Sequence, residues 1–312
     1  MRILFCGTPQ FAVPTLKHLL AQPDFELLAV ITQPDRPRGR GHQISSSPVK
    51  EIALAAGIAV HQPEKIRAPE IQELLQSYSP EFIVIIAYGQ IIPARLLPIP
   101  KRGWINLHAS LLPKYRGAAP INWAIVHGET RTGLTTMRID AGMDTGDILL
   151  QRELEIGTKV TAPELSTRLS EAGAPLMADT LLGLAAGKIT PRPQDHSKAT
   201  LAPMLKRDDG RIDWNCTSTE IYNRMRGFAP WPGASTTFRS HFCHLWAEPV
   251  TDIKHDAPPS TLIQESDQLL IVCGRATLLR LFAVQLEGRK RVSALEFANG
   301  ARLKSGERFG HP

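Results

Sequence analysis

The chain has 312 residues, 43 % apolar and 21 % charged, a globular balance that excludes wholesale disorder and suggests two domains. Its formal net charge of +6 admits a polyanionic partner without requiring one. No apolar run reaches the ~18–20 residues of a membrane-spanning helix, residues 1–8 are too short-lived in hydrophobicity for a secretory signal, and the cysteines at 6, 216, 243 and 273 form no C-x-x-C pair. A reduced, cytoplasmic protein without metal or membrane attachment is expected.

The first half alternates strands and helices. Ile3–Cys6, Leu27–Thr32 and Phe82–Ala87 are apolar runs of strand length, the first and third nearly continuous, as in strands buried on both faces. Helical patterns fall at Phe11–Leu20, Pro48–Ala56 and Pro69–Tyr78, the second with Ser47 as N-cap and Pro48 in its first position. This alternation predicts a doubly wound parallel sheet, extended by strands at Trp104–His108 and Leu134–Ile139. Thr161-x-x-Glu164 is a capping-box signature for a helix running towards Ala186, where Gly173 and Pro175 predict a break or kink. Residues 190–210, with prolines at 191, 193 and 203 and no helical period, read as a linker. Beyond it, a helix at Ser218–Arg226 and short strands at Ala234–Phe238, His244–Ala247, Leu269–Val272 and Leu278–Val284 predict a small β-barrel or sandwich. The expected division is 1–189, linker 190–210, and 211–312, with more net positive charge after residue 189 than before it.

Three stretches carry candidate chemistry. Asn106 and His108 lie two apart on a predicted strand and so share a face. Ser110 and Leu111 then leave its carboxyl end, where open α/β sheets place ligands. Either polar residue alone reads equally as a buried group satisfied by the backbone. The turn 140–147, DAGMDTGD, holds carboxylates that serve either ordinary turn chemistry or the orientation of His108 as an acid/base unit. In the stretch 33–50, Arg36, Arg38 and Arg40 interleave with Pro and Gly, which predicts no regular element. It is either a solvated loop or an arm that orders on phosphates. Gly7-Thr8-Pro9, between strand and helix, reads either as a tight turn or as a position suited to an anion or a ligand edge, and no G-x-G-x-x-G or Walker loop supports nucleotide chemistry.

These features together resemble the methionyl-tRNA formyltransferase family, over nearly the whole chain. The resemblance rests on GTPQFA at the start, TQPDRPRGRG with SPVK after it, IAYGQIIP at 86–93, NLHASLLPKYRGAAPI at 106–121, DAGMDTGDIL at 140–149, and RIDW with RGFAPWPGA at 211–234. It implies a Rossmann-like catalytic domain followed by an OB-like β-barrel that binds tRNA. It implies Asn106, His108 and Asp144 as the catalytic trio. It further implies a pterin pocket around Ile86, Ala87, Tyr88 and Gly89 and around Asp140 and Gly142, with Ser110, Leu111, Leu112 and Pro113 along the folate. The implied donor is 10-formyltetrahydrofolate, with no metal. The implied acceptor is initiator methionyl-tRNA, held by Arg36, Arg38, Arg40, Lys206 and Arg207, with no obligatory protein partner. His42-Gln43 stand where many members have a basic pair, and Ala229 replaces an Asn common before Pro-Trp-Pro. Rival readings are another folate formyltransferase with an amino-sugar nucleotide or ribotide acceptor, a formylfolate hydrolase, a noncatalytic RNA-binding module, and a serine hydrolase using Ser110, which lacks a G-x-S-x-G elbow.

Overall fold

Strand β1 (Arg2–Gly7) is apolar from Ile3 to Cys6, and all four side chains are fully buried, so it forms the middle of a sheet covered on both faces. The computed structural model describes residues 1–38, 43–251, 253–265 and 267–310. It divides into two compact units. One comprises Met1–Pro120, Arg131–Glu155 and Leu165–Pro203; the other comprises Ile121–Thr130, Ile156–Glu164 and Met204–Pro312.

In chain order the first unit carries β1, α1 (Val13–Leu20), β2 (Glu26–Ile31), β3 (Arg36–Arg38), β4 (Gln43–Ser45), α2 (Pro48–Ala55), β5 (Ala59–His61), α3 (Pro69–Tyr78), β6 (Phe82–Ile86) and β7 (Trp104–His108). After α4 (Pro120–Val126) come β8 (Arg131–Arg138), β9 (Ile148–Glu155) and α5 (Ala162–Ala185). The main sheet has the order β5-β2-β1-β6-β7-β8-β9. Its first five strands are parallel, as the alternation predicts. The last two run antiparallel. β8 and β9 are joined by the short 139–147 turn, and a parallel neighbour would need a crossover of a dozen or more residues. β9 has mostly polar, exposed positions at the sheet edge, so it lacks the apolar run that marks the other strands.

Local rules explain the helices. Ser47 caps α2, its hydroxyl accepting from Lys50 N at 3.1 Å. Glu164 accepts from the backbone N–H and hydroxyl of Thr161 at the entrance to α5, both at 2.8 Å. The expected break in α5 does not occur: the helix continues through Gly173 and Pro175. A Cβ on Gly173 would come within 2.5 Å of Leu107 Cδ2, so the glycine lets the helix lie against β7. Pro175 forfeits one backbone bond, which the packing of Leu169, Met177 and Leu181 outweighs.

The arginine-rich stretch also departs from expectation. β3 and β4 pair as an antiparallel ribbon with Arg36 opposite Ser45 and Arg38 opposite Gln43. A two-stranded ribbon tolerates Pro37 because one side of each strand has no ladder to complete. Arg40 and His42 lie outside the described residues. The stretch read as a linker begins docked: Arg192 exchanges backbone hydrogen bonds with Ile148, and Arg116 with Thr200 and Ala202.

The second unit adds α6 (Ser218–Gly227), β10 (Ser235–Phe238), β11 (His241–Val250), β12 (Leu262–Glu265), β13 (Gln268–Val272), β14 (Leu278–Leu286), β15 (Val292–Ser293) and α7 (Ala294–Ala301). Its antiparallel sheet has the order β10-β11-β14-β13-β12, with β15 on β14. Trp214, Phe238, Leu245, Ile271, Leu281, Phe297 and Phe309 fill its core. Residues 121–130 belong to this unit because Trp123 meets Phe228 edge to face at 5.4 Å and Asn122 Nδ2 donates to Gly227 O at 2.7 Å. Gly227 is required there, since a Cβ would lie 2.7 Å from Val126 Cγ2. Cys6, Cys243 and Cys273 are buried thiols, Cys243 and Cys273 pushed up to about 12 by burial, which keeps them protonated and inert.

Candidate active site

β7 presents Asn106 and His108 on one face, with Asn106 level with Ile85 on β6 and Met137 on β8. His108 is buried. Its Nε2 lies 2.8 Å from the carbonyl oxygen of Tyr115. A carbonyl only accepts, so Nε2 carries a hydrogen and Nδ1 is left for chemistry. Nδ1 faces Asp144 Oδ2 at 3.6 Å. The same oxygen accepts from Gly117 N at 2.8 Å. The loop leaving β7 therefore fixes both members of the pair, His108 through Tyr115 and Asp144 through Gly117. Asn106 is partly exposed, and its amide makes no hydrogen bond among the described residues.

Asp144 reaches this place by an indirect route. β8 ends with Arg138 opposite Ile105, three residues short of His108 along β7, and the 139–147 turn then carries Asp144 back. The turn is tight. A Cβ on Gly146 would lie 1.9 Å from Arg138 O, and one on Gly142 would lie 2.0 Å from Thr145 Oγ1. Asp140 is exposed and braces the turn, its Oδ1 accepting from Gly142 N at 3.0 Å and Thr145 Oγ1 at 2.7 Å. Asp144 has a φ of 54° and Tyr115 a φ of 60°, left-handed conformations that cost about 1–2 kcal/mol each and need holding.

The segment after His108 is rigidly tied. The Ser110 hydroxyl donates to Lys114 O at 2.6 Å, so this buried hydroxyl closes a turn and is not poised as a nucleophile. Leu112 N donates to Thr135 Oγ1, which donates to Ser110 O, while Gln151 Nε2 donates to Leu112 O. Leu111 packs over Gly133, where a Cβ would come within 2.6 Å of Leu111 Cδ2. Pro113 follows across a cis bond.

At the end of β6, Ile86 is fully buried, Ala87 is exposed with a φ of 47°, and Gly89 has a φ of 88°. Between them the Tyr88 carbonyl accepts from Thr8 Oγ1 at 3.2 Å and Gln33 Nε2 at 3.1 Å. The turn of Gly7-Thr8-Pro9 thus braces the loop after β6. Arg36 is exposed on β3; Arg38 is on the same strand. Lys206 and Arg207 are exposed in the second unit, with Arg207 over the Phe242 ring at 5.4 Å. The structure brings Asn106, His108, Asp144 and the Ser110–Pro113 loop to one end of β7. Sequence reasoning missed Tyr115, Gly117 and Gln194, whose contributions are mostly backbone or come from the stretch read as a linker. Among the described residues no group of His, Cys, Asp and Glu could hold a metal ion, and no helix is long and apolar enough to cross a membrane.

Residues 1–181 match the formyl transferase family model and residues 204–302 match that of the formyl transferase C-terminal domain. The methionyl-tRNA formyltransferase of Solibacter usitatus is 54 % identical over 99 % of both chains. That of Acidobacterium capsulatum is 50 % identical over 99 % of this chain and 100 % of its own. Among solved structures, the sugar 3N-formyl transferase WlaRD, crystallised with dTDP and 5-N-formyl-THF, superposes with a TM-score of 0.66 at 19 % identity, covering 93 % of this chain and 99 % of its own. HypX from Aquifex aeolicus in complex with tetrahydrofolic acid gives a TM-score of 0.63 at 17 % identity over 100 % of this chain and 51 % of its own. Two structural matches of low identity share the fold, and full-length matches at about half identity narrow it: this chain belongs to the formyl transferase family, alongside the methionyl-tRNA formyltransferases.

Proposed function

We propose that the chain transfers the formyl group of 10-formyltetrahydrofolate to the α-amine of initiator methionyl-tRNA. The observation that carries this reading is the free Asn106 amide beside a histidine whose unoccupied nitrogen faces a carboxylate. The reaction is acyl transfer from an amide-like nitrogen to an amine through a tetrahedral oxyanion. The nucleophile is supplied by the acceptor, whose α-amine titrates near ~8 and is partly neutral at physiological pH. The protein must orient the partners, donate to the oxyanion and move a proton. Asn106 Nδ2 donates to the developing oxyanion. His108 Nδ1 takes the proton the attacking amine must lose and passes it to the departing N10, while Asp144 stabilises the transient imidazolium. The amine adds to the formyl carbon to give the tetrahedral oxyanion, whose collapse re-forms the carbonyl and breaks the bond to the protonated N10, so no covalent enzyme intermediate is needed.

The folate would lie along Ile86–Gly89, Asp140, Gly142 and Ser110–Pro113. Arg36, Arg38, Arg40, Lys206 and Arg207 would meet tRNA phosphates, where guanidinium forks bind bidentately. Full-length identity near one half to methionyl-tRNA formyltransferases, against 19 % to a sugar formyl transferase, favours the tRNA acceptor over an amino-sugar nucleotide. The test mixes the purified chain and 10-formyltetrahydrofolate with charged initiator tRNA, an amino-sugar nucleotide, a glycinamide ribotide, or water alone. Formylation of methionyl-tRNA is expected. Preferential formylation of another acceptor, or hydrolysis alone, refutes the assignment. Replacing Arg38 and Arg40 together by Ala should lower tRNA formylation and leave folate binding unchanged.

A further inference from the structure

Behind the His108–Asp144 pair lies a second polar layer. Gln194 and Arg116 are both buried, with 6 % and 7 % of their surfaces exposed. Gln194 Oε1 accepts from Arg116 Nε at 3.1 Å and from Arg116 Nη2 at 2.6 Å. Its Nε2 donates to the backbone carbonyls of Asp144 at 2.9 Å and Gly146 at 2.7 Å. These partners fix the amide's orientation, because guanidinium can only donate and carbonyls can only accept. Arg116 Nη2 also reaches His196 Nδ1 at 3.1 Å, and among the described residues no carboxylate pairs with the guanidinium. A buried guanidinium polarises the amide that it holds, strengthening both donated bonds.

Gln194 grips the strained position. Asp144 has a φ of 54°, and its carboxylate is tied to Gly117 N while its own carbonyl is tied to Gln194. Arg116, which orients Gln194, sits between Tyr115, whose carbonyl holds His108, and Gly117, whose N–H holds Asp144. One arch therefore sets the distance between the two sides of the acid/base pair.

We infer that Gln194 is a positioning residue for Asp144, holding its carboxylate opposite His108 Nδ1 through the paired carbonyls of Asp144 and Gly146. The inference rests on the reaction proposed above. Gln194→Glu separates the two halves of the arch: a carboxylate still accepts from Arg116 but cannot donate to either carbonyl. Gln194→Ala removes both halves.

The experiment measures kcat and KM for formylation of methionyl-tRNA by the full chain, with Gln194→Glu, Gln194→Ala, Asp144→Asn and the Gln194→Ala/Asp144→Asn double variant. Displacement of a catalytic group by about an ångström can cost up to about 10²-fold in rate. Both Gln194 variants are expected to lose about tenfold or more in kcat, with KM for the folate nearly unchanged, and Gln194→Glu is expected to displace the pH profile of kcat/KM in the same direction as Asp144→Asn. In the Asp144→Asn background, removing Gln194 should cost less than about twofold further, because coupled residues are non-additive. Additive losses, a wild-type kcat, or a lowered kcat with an unmoved pH profile overturn the inference. If Gln194→Ala does not fold, Gln194→Glu alone decides through its pH profile. A wild-type chain that fails to formylate methionyl-tRNA refutes the proposed function instead, a result separate from an active wild type with indifferent Gln194 variants.

Discussion

Asp144→Asn isolates charge from shape. Oδ2 of Asp144 serves Gly117 N at 2.8 Å and faces His108 Nδ1 at 3.6 Å. Asn can place its Oδ1 in the same position, keep the Gly117 bond and preserve the turn, so only the negative charge is lost. At 3.6 Å, a carboxylate and an imidazolium attract by about 1 kcal/mol in bulk water and by about 4–5 kcal/mol at the effective dielectric of ~20 that suits protein sites. The shielded setting of the pair, with His108 buried, favours the upper part of that range. Since about 1.4 kcal/mol is a factor of ten in rate, kcat should fall by roughly 10²–10³-fold. The loss belongs to the transition state, where the imidazolium forms, so KM for either substrate should move little. The assay is steady-state formylation of methionyl-tRNA across a pH series, with thermal unfolding to confirm an intact fold. A variant within threefold of wild type at every pH would mean that Asp144 merely shapes the turn.

Asn106→Ala should reduce kcat by about 10²–10³-fold, the usual cost of losing one oxyanion donor, without altering stability, because the amide has no partner within the described protein to lose; unchanged turnover would remove Asn106 from the mechanism. Gly146→Ala should lower the melting temperature and cost about 1–3 kcal/mol of stability, because its Cβ would lie 1.9 Å from the Arg138 carbonyl; an unshifted melt would contradict that packing. Acid should weaken the helix starts in a defined window. Hydrogen bonds from Thr161 (backbone N–H first), and from the hydroxyls and backbone of Thr217 and Ser293, hold the carboxyls of Glu164, Glu220 and Glu296 below the usual range. Their stabilisation is complete above the unfolded value near ~4.3 and disappears as pH falls through the lower folded values. A triple Glu→Gln variant should have a lower urea midpoint at neutral pH and converge with wild type in strong acid; a gap independent of pH refutes the linkage.

Local chemistry made much of the fold legible. Ser47-Pro48, Pro69 and Thr161-x-x-Glu164 mark helix starts that appear within a residue or so of expectation, because caps and N1 prolines act through neighbours in sequence. Apolar runs marked β1, β2 and β6, because strands covered on both faces admit little else. β9 and the β3–β4 ribbon were not legible, since edge strands and ribbons bury too little to leave a pattern. In the candidate site, the shared face of Asn106 and His108 followed from the two-residue period of a strand. The partners of His108 did not: Tyr115 acts through a carbonyl and Gly117 through an N–H, groups every residue carries, so only the path of the chain distinguishes them. Gln194 lay in a proline-rich stretch whose composition gives no hint that it turns inward.

The membership of residues 121–130 in the second unit has a consequence for synthesis of the chain. Asn122 and Gly227, joined by a hydrogen bond, are 105 residues apart in sequence. At about 5–20 residues per second on the ribosome, roughly 5–20 s separate the appearance of the Trp123 face from that of Phe228, which covers it. During this interval the parallel strands β1, β2, β5, β6 and β7 are already available to pair, whereas the contacts of Trp123 with Phe228 and of Val126 with Gly227 have still to form. The segment 121–130 is therefore made well before the α6 residues that complete its packing, and a ribosome stalled before residue 227 would leave a chain in which the Asn122–Gly227 and Trp123–Phe228 contacts cannot form.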